Sequence, residues 1–443
     1  MALASLVLAL AALPAARAQS QATETPDASG AGGPSATSQP PANQPPANPP
    51  PGGPPSTNQA PATEAGPGGT LTVWTTYQGA ALTWLEDQTR AYGGAFDRHV
   101  EVTAMKLGDI KQKAALNAKK GTAADLFVGI PHDQFSALAD DGVLADMSDF
   151  ATQTYLDGLS PQAARAFRYL GTLYGLPLSV EGPALIVNTN LVSDLPTSYP
   201  ALKKLAASLT GGGRYGFAFD AANFYYAYAW IRTFGGYVFG SNAQGGPDIK
   251  EIGLASPGSV TGARELKALR FQDGLLPAGV DYGAIQKLFL AGKVAMTYDG
   301  PWLIPAIVKA HIPVTVAPMP PLADGTPWRG LMNVDGVLLN RYSRDKVGAA
   351  NLAKWLTQPT AQADLASRTG RIPASRQALA RVKGDAVLTG FGHALADSVA
   401  IPNVPAMGAV WGPMDAALGT ILGSPDSDVA SALQHAVSAI SGP

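Results

Sequence analysis

From residue 70 onward the hydrophobic positions switch between two periods, and each switch marks an element. Thr70-Leu71-Thr72-Val73-Trp74-Thr75 alternates in twos as a strand, and a helical pattern around Trp84 and Leu85 follows. Val100 to Met105 alternates again, Asp109 is placed to N-cap a helix through Ala118, and Asp125-Leu126-Phe127-Val128 is a short buried strand. Strands alternating with helices predict an α/β fold with a parallel sheet covered on both faces, its ligands received at the carboxyl ends of the strands. The segment from Ile130 to Phe135 lies just past such an end. There Asp133 can N-cap a helix from Gln134 to Asp140, closed by Gly142, while its second oxygen accepts from a ligand hydroxyl.

Two buried aliphatic runs in Leu176 to Asn190 are interrupted by Glu181-Gly182-Pro183, which puts a carboxylate and two breaker residues inside an otherwise strand-like stretch. By itself the break reads as a loop with a solvated glutamate; the sharper reading is a crossing between two lobes with Glu181 facing a cleft. Tyr215 to Asp220 is strand-like and runs into the aromatic cluster from Asn223 to Trp230, where Phe224, Tyr228 and Trp230 read as core and Tyr225 as a candidate cleft residue. Helices are expected over Ser259–Asp273 and Tyr282–Ala291, and a strand over Val294–Tyr298. That strand ends in Asp299-Gly300-Pro301-Trp302, where proline suits a first helical turn and leaves the tryptophan ring facing the cleft. Leu331–Leu339 reads as a strand returning to the first lobe, with a helix from Arg344 to Leu356 packed on it. Two prolines, Pro402 and Pro405, then lead into a helix carrying Trp411, and Ser427 or Asp428 caps a closing helix to about Ile440.

At 443 residues the chain exceeds the ~250–300 residues at which single cores stop growing, so two lobes are expected. The apolar run from Leu3 to Leu13 with Ala16-Arg17-Ala18 behind it predicts a signal peptide over residues 1–18, although no basic residue precedes Leu3. Residues 19–68, rich in Pro, Gly, Ser, Thr, Asn and Gln, predict a disordered linker. Its roughly 50 residues would reach about 40 Å as a flexible coil. Export to the periplasm or cell exterior follows, with the linker as a tether. The absence of cysteine excludes disulfides and a lipid-modified cysteine, so stability rests on packing. A net charge of −2 with 14% charged residues provides no basic stripe for nucleic acid or an anionic membrane, which makes a near-neutral ligand more natural.

Reaction chemistry is sparsely represented. The five histidines form no metal-binding spacing, and neither Gly-x-Ser-x-Gly nor a phosphate loop is present; Gly211-Gly212-Gly213 reads as a loop, and no cofactor is called for. Aromatics and acids instead gather at element ends: Tyr225, Trp302 and Trp411 with Asp133 and Glu181. Flat rings cover the apolar faces of a sugar, about 1.5 kcal/mol for ~60 Å² removed from water. Carboxylates accept its hydroxyls at ~1.5–3 kcal/mol each.

Over Leu71 to Ile440 the chain resembles the maltose-binding branch of the periplasmic solute-binding proteins that serve ABC importers. The resemblance rests on Asp125-Leu126-Phe127 with His132-Asp133-Gln134-Phe135, Val180-Glu181 with Leu185-Ile186-Val187-Asn188, and Gly235-Gly236-Tyr237 with Phe239. It continues through Asp299-Gly300-Pro301-Trp302 and Pro402-Asn403-Val404-Pro405 with Met407 and Trp411, all in the family's order. It implies a two-lobe periplasmic binding protein fold of type II, with a ligand cleft between lobes joined by crossing hinge segments. Lobe 1 would take residues 69–181 and 333–384, and lobe 2 residues 182–332 and 385–443, with hinges near Val180–Ala184, Trp328–Asp335 and Ala380–Val387. Asp133 and Glu181 match positions that bind sugar hydroxyls, while Tyr225, Trp302 and Trp411 match aromatic platforms. The maltose pattern is altered at Gln78, Gln134, Asn223 and Asp415, which stand at ligand-binding positions where it has other residues. The implied function is binding of an oligosaccharide, with maltose or maltodextrin the first candidate, and its delivery as a monomer to an ABC permease. Two alternatives stay open: a glycoside hydrolase using Asp133 and Glu181 as its carboxylate pair, and a solute-binding protein for a non-sugar ligand.

Overall fold

The computed structural model describes residues 69–242, 246–279 and 281–442. The expected signal peptide and linker lie outside the described residues.

Two sheets organise the described chain. The larger has seven strands, and its path runs Ile372–Pro373, Gly175–Glu181, Leu331–Leu339, Leu126–Pro131, Thr70–Thr75 and His99–Ala104, with Val399–Ala400 paired to the start of Leu331–Leu339. Thr70–Thr75, His99–Ala104 and Leu126–Pro131 are mutually parallel, as the strand-helix alternation predicts, whereas Leu331–Leu339 returns antiparallel between two of the strands. The smaller sheet has four strands in the order Val314–Ala317, Ala184–Asn188, Val294–Asp299 and Tyr215–Phe217. Central strands such as Val294–Asp299 are buried at every position, which explains their continuous apolar character.

The Glu-Gly-Pro interruption is a passage from one sheet to the other. Glu181 ends its strand opposite Asn333 in the larger sheet, and Ala184 begins the next strand opposite Asp299 in the smaller one. Gly182 is required by close packing: a Cβ there would lie 2.6 Å from Leu395 Cδ2 and 2.9 Å from the Leu331 carbonyl oxygen. A second passage follows Trp328, which is buried against Trp230 and Tyr199 at ring distances of 4.8 and 4.9 Å, before the chain enters Leu331–Leu339. The third lies between helix Arg376–Arg381, packed on Ile372–Pro373, and helix Ala386–Ala394, packed on the edge of the smaller sheet.

Each sheet is covered by helices whose large side chains anchor it. Trp84 is fully buried under the larger sheet, where its indole N–H donates to the Ala361 carbonyl (3.1 Å). Trp230 stacks on Phe219 at 4.3 Å beside the smaller sheet and donates to the Tyr199 hydroxyl (3.1 Å). Phe224 and Tyr228 are buried with it, as expected.

Helix starts bear out the capping expectations in part. Asp428 accepts the backbone N–H groups of Ala430 and Ser431 at the head of Val429–Ser441. Asp109, by contrast, is not a cap: the helix begins earlier, at Leu107 behind Lys106, so the carboxylate sits in the first turn, where it favours the helix dipole. Asp133 is not a cap either. The preceding strand runs on to Pro131, His132–Gln134 form a tight turn, and the helix Ser136–Asp140 begins only after Phe135. Gly142 closes that helix at φ +68°, as expected.

Candidate functional site

Two walls form where the strand ends of the sheets converge. On the larger-sheet side, Glu181 stands at the end of Gly175–Glu181, and Arg371, just after helix Pro359–Thr369, reaches its Oε1 at 2.5 Å. The same guanidinium donates to Asp335 Oδ2 at 2.6 Å and lies over the Tyr77 ring, 5.0 Å from its centre. Burial pushes the Asp335 carboxyl up to about 7, the Glu181 charge adds to the rise, and Arg371 opposes it. Asn333 donates to Asp335 (3.4 Å) and its amide oxygen lies 3.0 Å from His132 Nδ1. Since that ring nitrogen accepts from Val334 N–H, the other carries the proton and donates to the Ile401 carbonyl (2.9 Å). Burial holds the His132 imidazole below its usual range, so the ring is a neutral clasp on the crossing segments.

Asp133, next to this clasp, is half-buried and accepts from the Gln134 side-chain amide (2.7 Å), whose own oxygen accepts from Lys111 (3.4 Å). Gln78 is exposed at the head of helix Gly79–Phe96 and makes no side-chain cap there.

The opposite wall is aromatic. Trp302 follows the smaller-sheet strand Val294–Asp299 through a short turn that Pro301 begins, and it is 40% exposed, the most open tryptophan of the site. A Cβ on Gly300 would overlap the Trp302 ring, so the glycine lets the indole lie over the backbone. Tyr225, half-buried in the first turn of helix Phe224–Thr233, packs tilted against Trp302 at 6.1 Å. Its hydroxyl is held well above the usual phenol range by burial first, and then by charges that include Glu181 and Asp133. Glu181 ends its strand just before Ala184, which pairs with Asp299 at the end of the strand that leads to Trp302, so the acidic and aromatic walls flank the same passage between the sheets. Trp411 opens helix Trp411–Gly423 and meets Phe224 edge-on at 5.9 Å.

Asn223 and Asp415 have a structural task. Asn223 accepts the N–H of Tyr225 (3.0 Å), and Asp415 accepts the N–H of Phe224 (2.7 Å), so together they cap the helix that presents Tyr225. Beneath Trp302, the buried Asp299 carboxylate takes the Gly300 N–H (2.7 Å) and the hydroxyls of Tyr226 (3.3 Å) and Tyr282 (3.4 Å). Burial still raises its pKa to about 6.

The sequence reading missed Arg371, Asp335, His132 as a clasp, and Asp299 as a support. One signal was available: Asp335 is the one acid in the largely apolar strand Leu331–Leu339. Its cation is a long-range partner that no local pattern announces. Among the described residues, no group of His, Cys, Asp or Glu is placed to hold a metal, and no helix is long and apolar enough to cross a membrane.

The chain belongs to the bacterial extracellular solute-binding proteins, whose family profile matches residues 87–388. Among solved structures, a maltotriose-binding protein of Thermus thermophilus bound to maltotriose is 35% identical, with a TM-score of 0.68 over 84% of this chain and 98% of that one. A cyclo/maltodextrin-binding protein complexed with maltotetraose is 31% identical, with a TM-score of 0.79 over 84% and 96%. A maltotriose-binding protein of Pyrococcus abyssi is 29% identical over 368 residues, 81% of this chain and 78% of its own. The galactooligosaccharide-binding protein of Bacillus subtilis is 25% identical over 374 residues, 81% and 86% respectively. The fold is therefore the two-lobe periplasmic binding protein fold, in its maltose-binding form.

Proposed function

We propose that the protein captures an oligosaccharide, with maltooligosaccharides the leading candidates, in the cleft between the two walls. It then delivers the sugar to the permease of an ABC importer. The observation that carries this reading is the pairing of an open Trp302 ring and Tyr225 with the carboxylates of Glu181 and Asp133, since rings cover sugar faces and acids accept sugar hydroxyls. The names of the relatives support the ligand class, and the family supports an extracellular location. The lobes divide as 69–181 with 333–384 against 182–332 with 385–443, and hinge motion at the three passages closes them on the ligand. The protein works as an exported monomer, tethered through its N-terminal linker.

Calorimetric titration with maltose, maltotriose, maltotetraose and a galactooligosaccharide tests the reading. Saturable heat is expected with at least one of them; neither heat nor a thermal shift with any would sink it. Binding without turnover is also part of the proposal. Arg371 ties Glu181 into a three-group ion cluster rather than leaving it to work as one of a hydrolytic pair. Release of shorter sugars at catalytic turnover would restore the hydrolase alternative.

A further inference from the structure

The end of the larger sheet opposite Asp133 is basic, although the whole chain carries a net charge of −2. Its parallel strands point their carboxyl ends toward the Asp133 turn, and two turns meet at their amino ends. One follows helix Leu107–Asn117 and its continuation Ala118–Lys120, and it is closed by Gly121. The other follows Leu331–Leu339 and lies against the first. Leu339 pairs with Leu126, the Asn340 amide donates to the Ala124 carbonyl (2.8 Å), and a Cβ on Gly121 would meet the Arg344 guanidinium at 3.8 Å. Lys119, Lys120, Arg341, Arg344 and Lys346 are all exposed there. Among the described residues, none of the five side chains makes an ion pair or a hydrogen bond, whereas the nearby acids are engaged. Asp125 accepts from Thr72 and Ser343, and Asp345 pairs with Arg98; Asp141 stands exposed at the margin. Lys119 and Lys120 have a local reason, since they close a helix whose dipole favours cations. Arg344 and Lys346 do not: they flank the start of helix Lys346–Leu356, where the dipole disfavours them. Two apolar side chains stand among these charges. Leu116, 59% exposed, precedes Lys119 and Lys120 by three and four positions on one helix face, and Tyr342, 36% exposed, lies between Arg341 and Arg344. The polypeptide also enters the fold here. Val73, not Thr70, pairs with Leu126, so Gly69 and Thr70 lie beyond the start of that strand, and the 68 residues before Gly69 join the protein at its basic end.

We infer that this end of the protein is a docking face for a membrane surface rich in anionic phospholipid, an inference that rests on the exported, tethered reading above. The five free cations face lipid phosphates, while Leu116 and Tyr342 enter the boundary between headgroups and acyl chains. Charge complementarity and the point of attachment select this partner, because a tether held at the membrane brings the basic end to the lipid first. An aliphatic and a phenolic side chain among cations also suit that boundary better than a polyanion in solution. The basic end and Asp133 stand at opposite ends of the strand Leu126–Pro131, so docking leaves that cleft wall turned away from the lipid and open to arriving sugar.

Co-sedimentation of the full chain with phosphatidylglycerol-containing vesicles and with pure phosphatidylcholine vesicles tests the docking face. Binding roughly tenfold or more tighter to the anionic vesicles is expected, weakening as salt rises from about 50 to about 300 mM. Residues 1–68 cannot supply that preference, since they set Arg17 alone against Glu24, Asp27 and Glu64. The triple variant Lys119→Glu, Lys120→Glu, Arg344→Glu should lose the preference, and Leu116→Ser should weaken binding several-fold. The same charge change made elsewhere, Lys204→Glu, Lys250→Glu, Lys309→Glu, should leave it within about twofold, because distant charges are screened. Thermal stability should be unchanged in the first triple variant, whose side chains make no internal bond. Equal binding to both kinds of vesicle, or a first triple variant that binds as wild type, overturns the inference. So does maltotriose affinity lost on vesicle binding, which would put the contact at the cleft, and so does binding of duplex DNA without selective vesicle binding. Cell fractionation tests the tethered reading separately: recovery of the protein from the cytoplasm would sink that reading even where the vesicle result stands.

Discussion

The two walls of the cleft are held in place by different physics. The larger-sheet wall is an ion cluster in which Arg371 lies between Glu181 and Asp335, with Tyr77 under the guanidinium. The smaller-sheet wall is built from rings, with Trp302 over Gly300 and Tyr225 on a helix start capped by Asn223 and Asp415. Removing one member of the first wall leaves another charge uncompensated, whereas removing a ring from the second subtracts its buried area. Under the proposed function, the polar wall would couple ligand recognition to stability, and the aromatic wall would keep the two largely apart.

The sharpest way to break this contrast is Arg371→Met. Stranding two acids at a largely buried site should cost about 3 kcal/mol of stability in chemical denaturation, along with sugar affinity. A variant as stable as wild type would show that the cluster is not the wall's support. On the other side, Trp302→Ala should weaken sugar binding by about 1–3 kcal/mol through lost burial, with the unfolding midpoint little changed. Trp411→Ala, which also loses its edge contact with Phe224, should show a loss of stability as well as of affinity.

Acid sensitivity gives the next test. The folded-state pKa of Asp299 is raised to about 6, above the value of an exposed carboxyl, so the native state holds the proton more tightly than the unfolded chain. Its contribution must therefore favour the fold on the acid side and fade as pH rises from about 4 to about 6, with a limiting slope of ~1.4 kcal/mol per pH unit. Asp299→Asn should flatten that part of the stability profile measured by denaturation between pH 4 and 7; an unchanged slope would refute the assignment. The smallest effect is expected from Gln134→Ala, which removes one hydrogen bond to Asp133 and should change sugar affinity by about 1 kcal/mol or less.

Much of the frame is legible in the sequence because its causes are local. The strand Leu331–Leu339 and the passage at Gly182-Pro183 follow from apolar runs and breakers, and the exposed Trp302 follows from a Gly-Pro turn at a strand end. The misplacements are also physical. Asp133 and Asp109 fit the residue preferences of a cap, but the neighbouring strand and helix extend past the points where the patterns suggested they end. Gln134, Asn223 and Asp415, which the resemblance sets at ligand positions, also carry bonds that no local pattern announces, to Asp133 and to one helix start. Arg371 was invisible because its partners lie 190 and 36 residues away in the chain and meet it only where the crossings converge.

The central claim is that both walls grip one sugar. Calorimetric titration of maltotriose into the wild-type protein, Trp302→Ala and Glu181→Gln, at one pH and salt concentration, tests it most directly. The account predicts saturable binding by wild type and weaker binding by each variant. Maltotriose bound with wild-type affinity by either variant would contradict it.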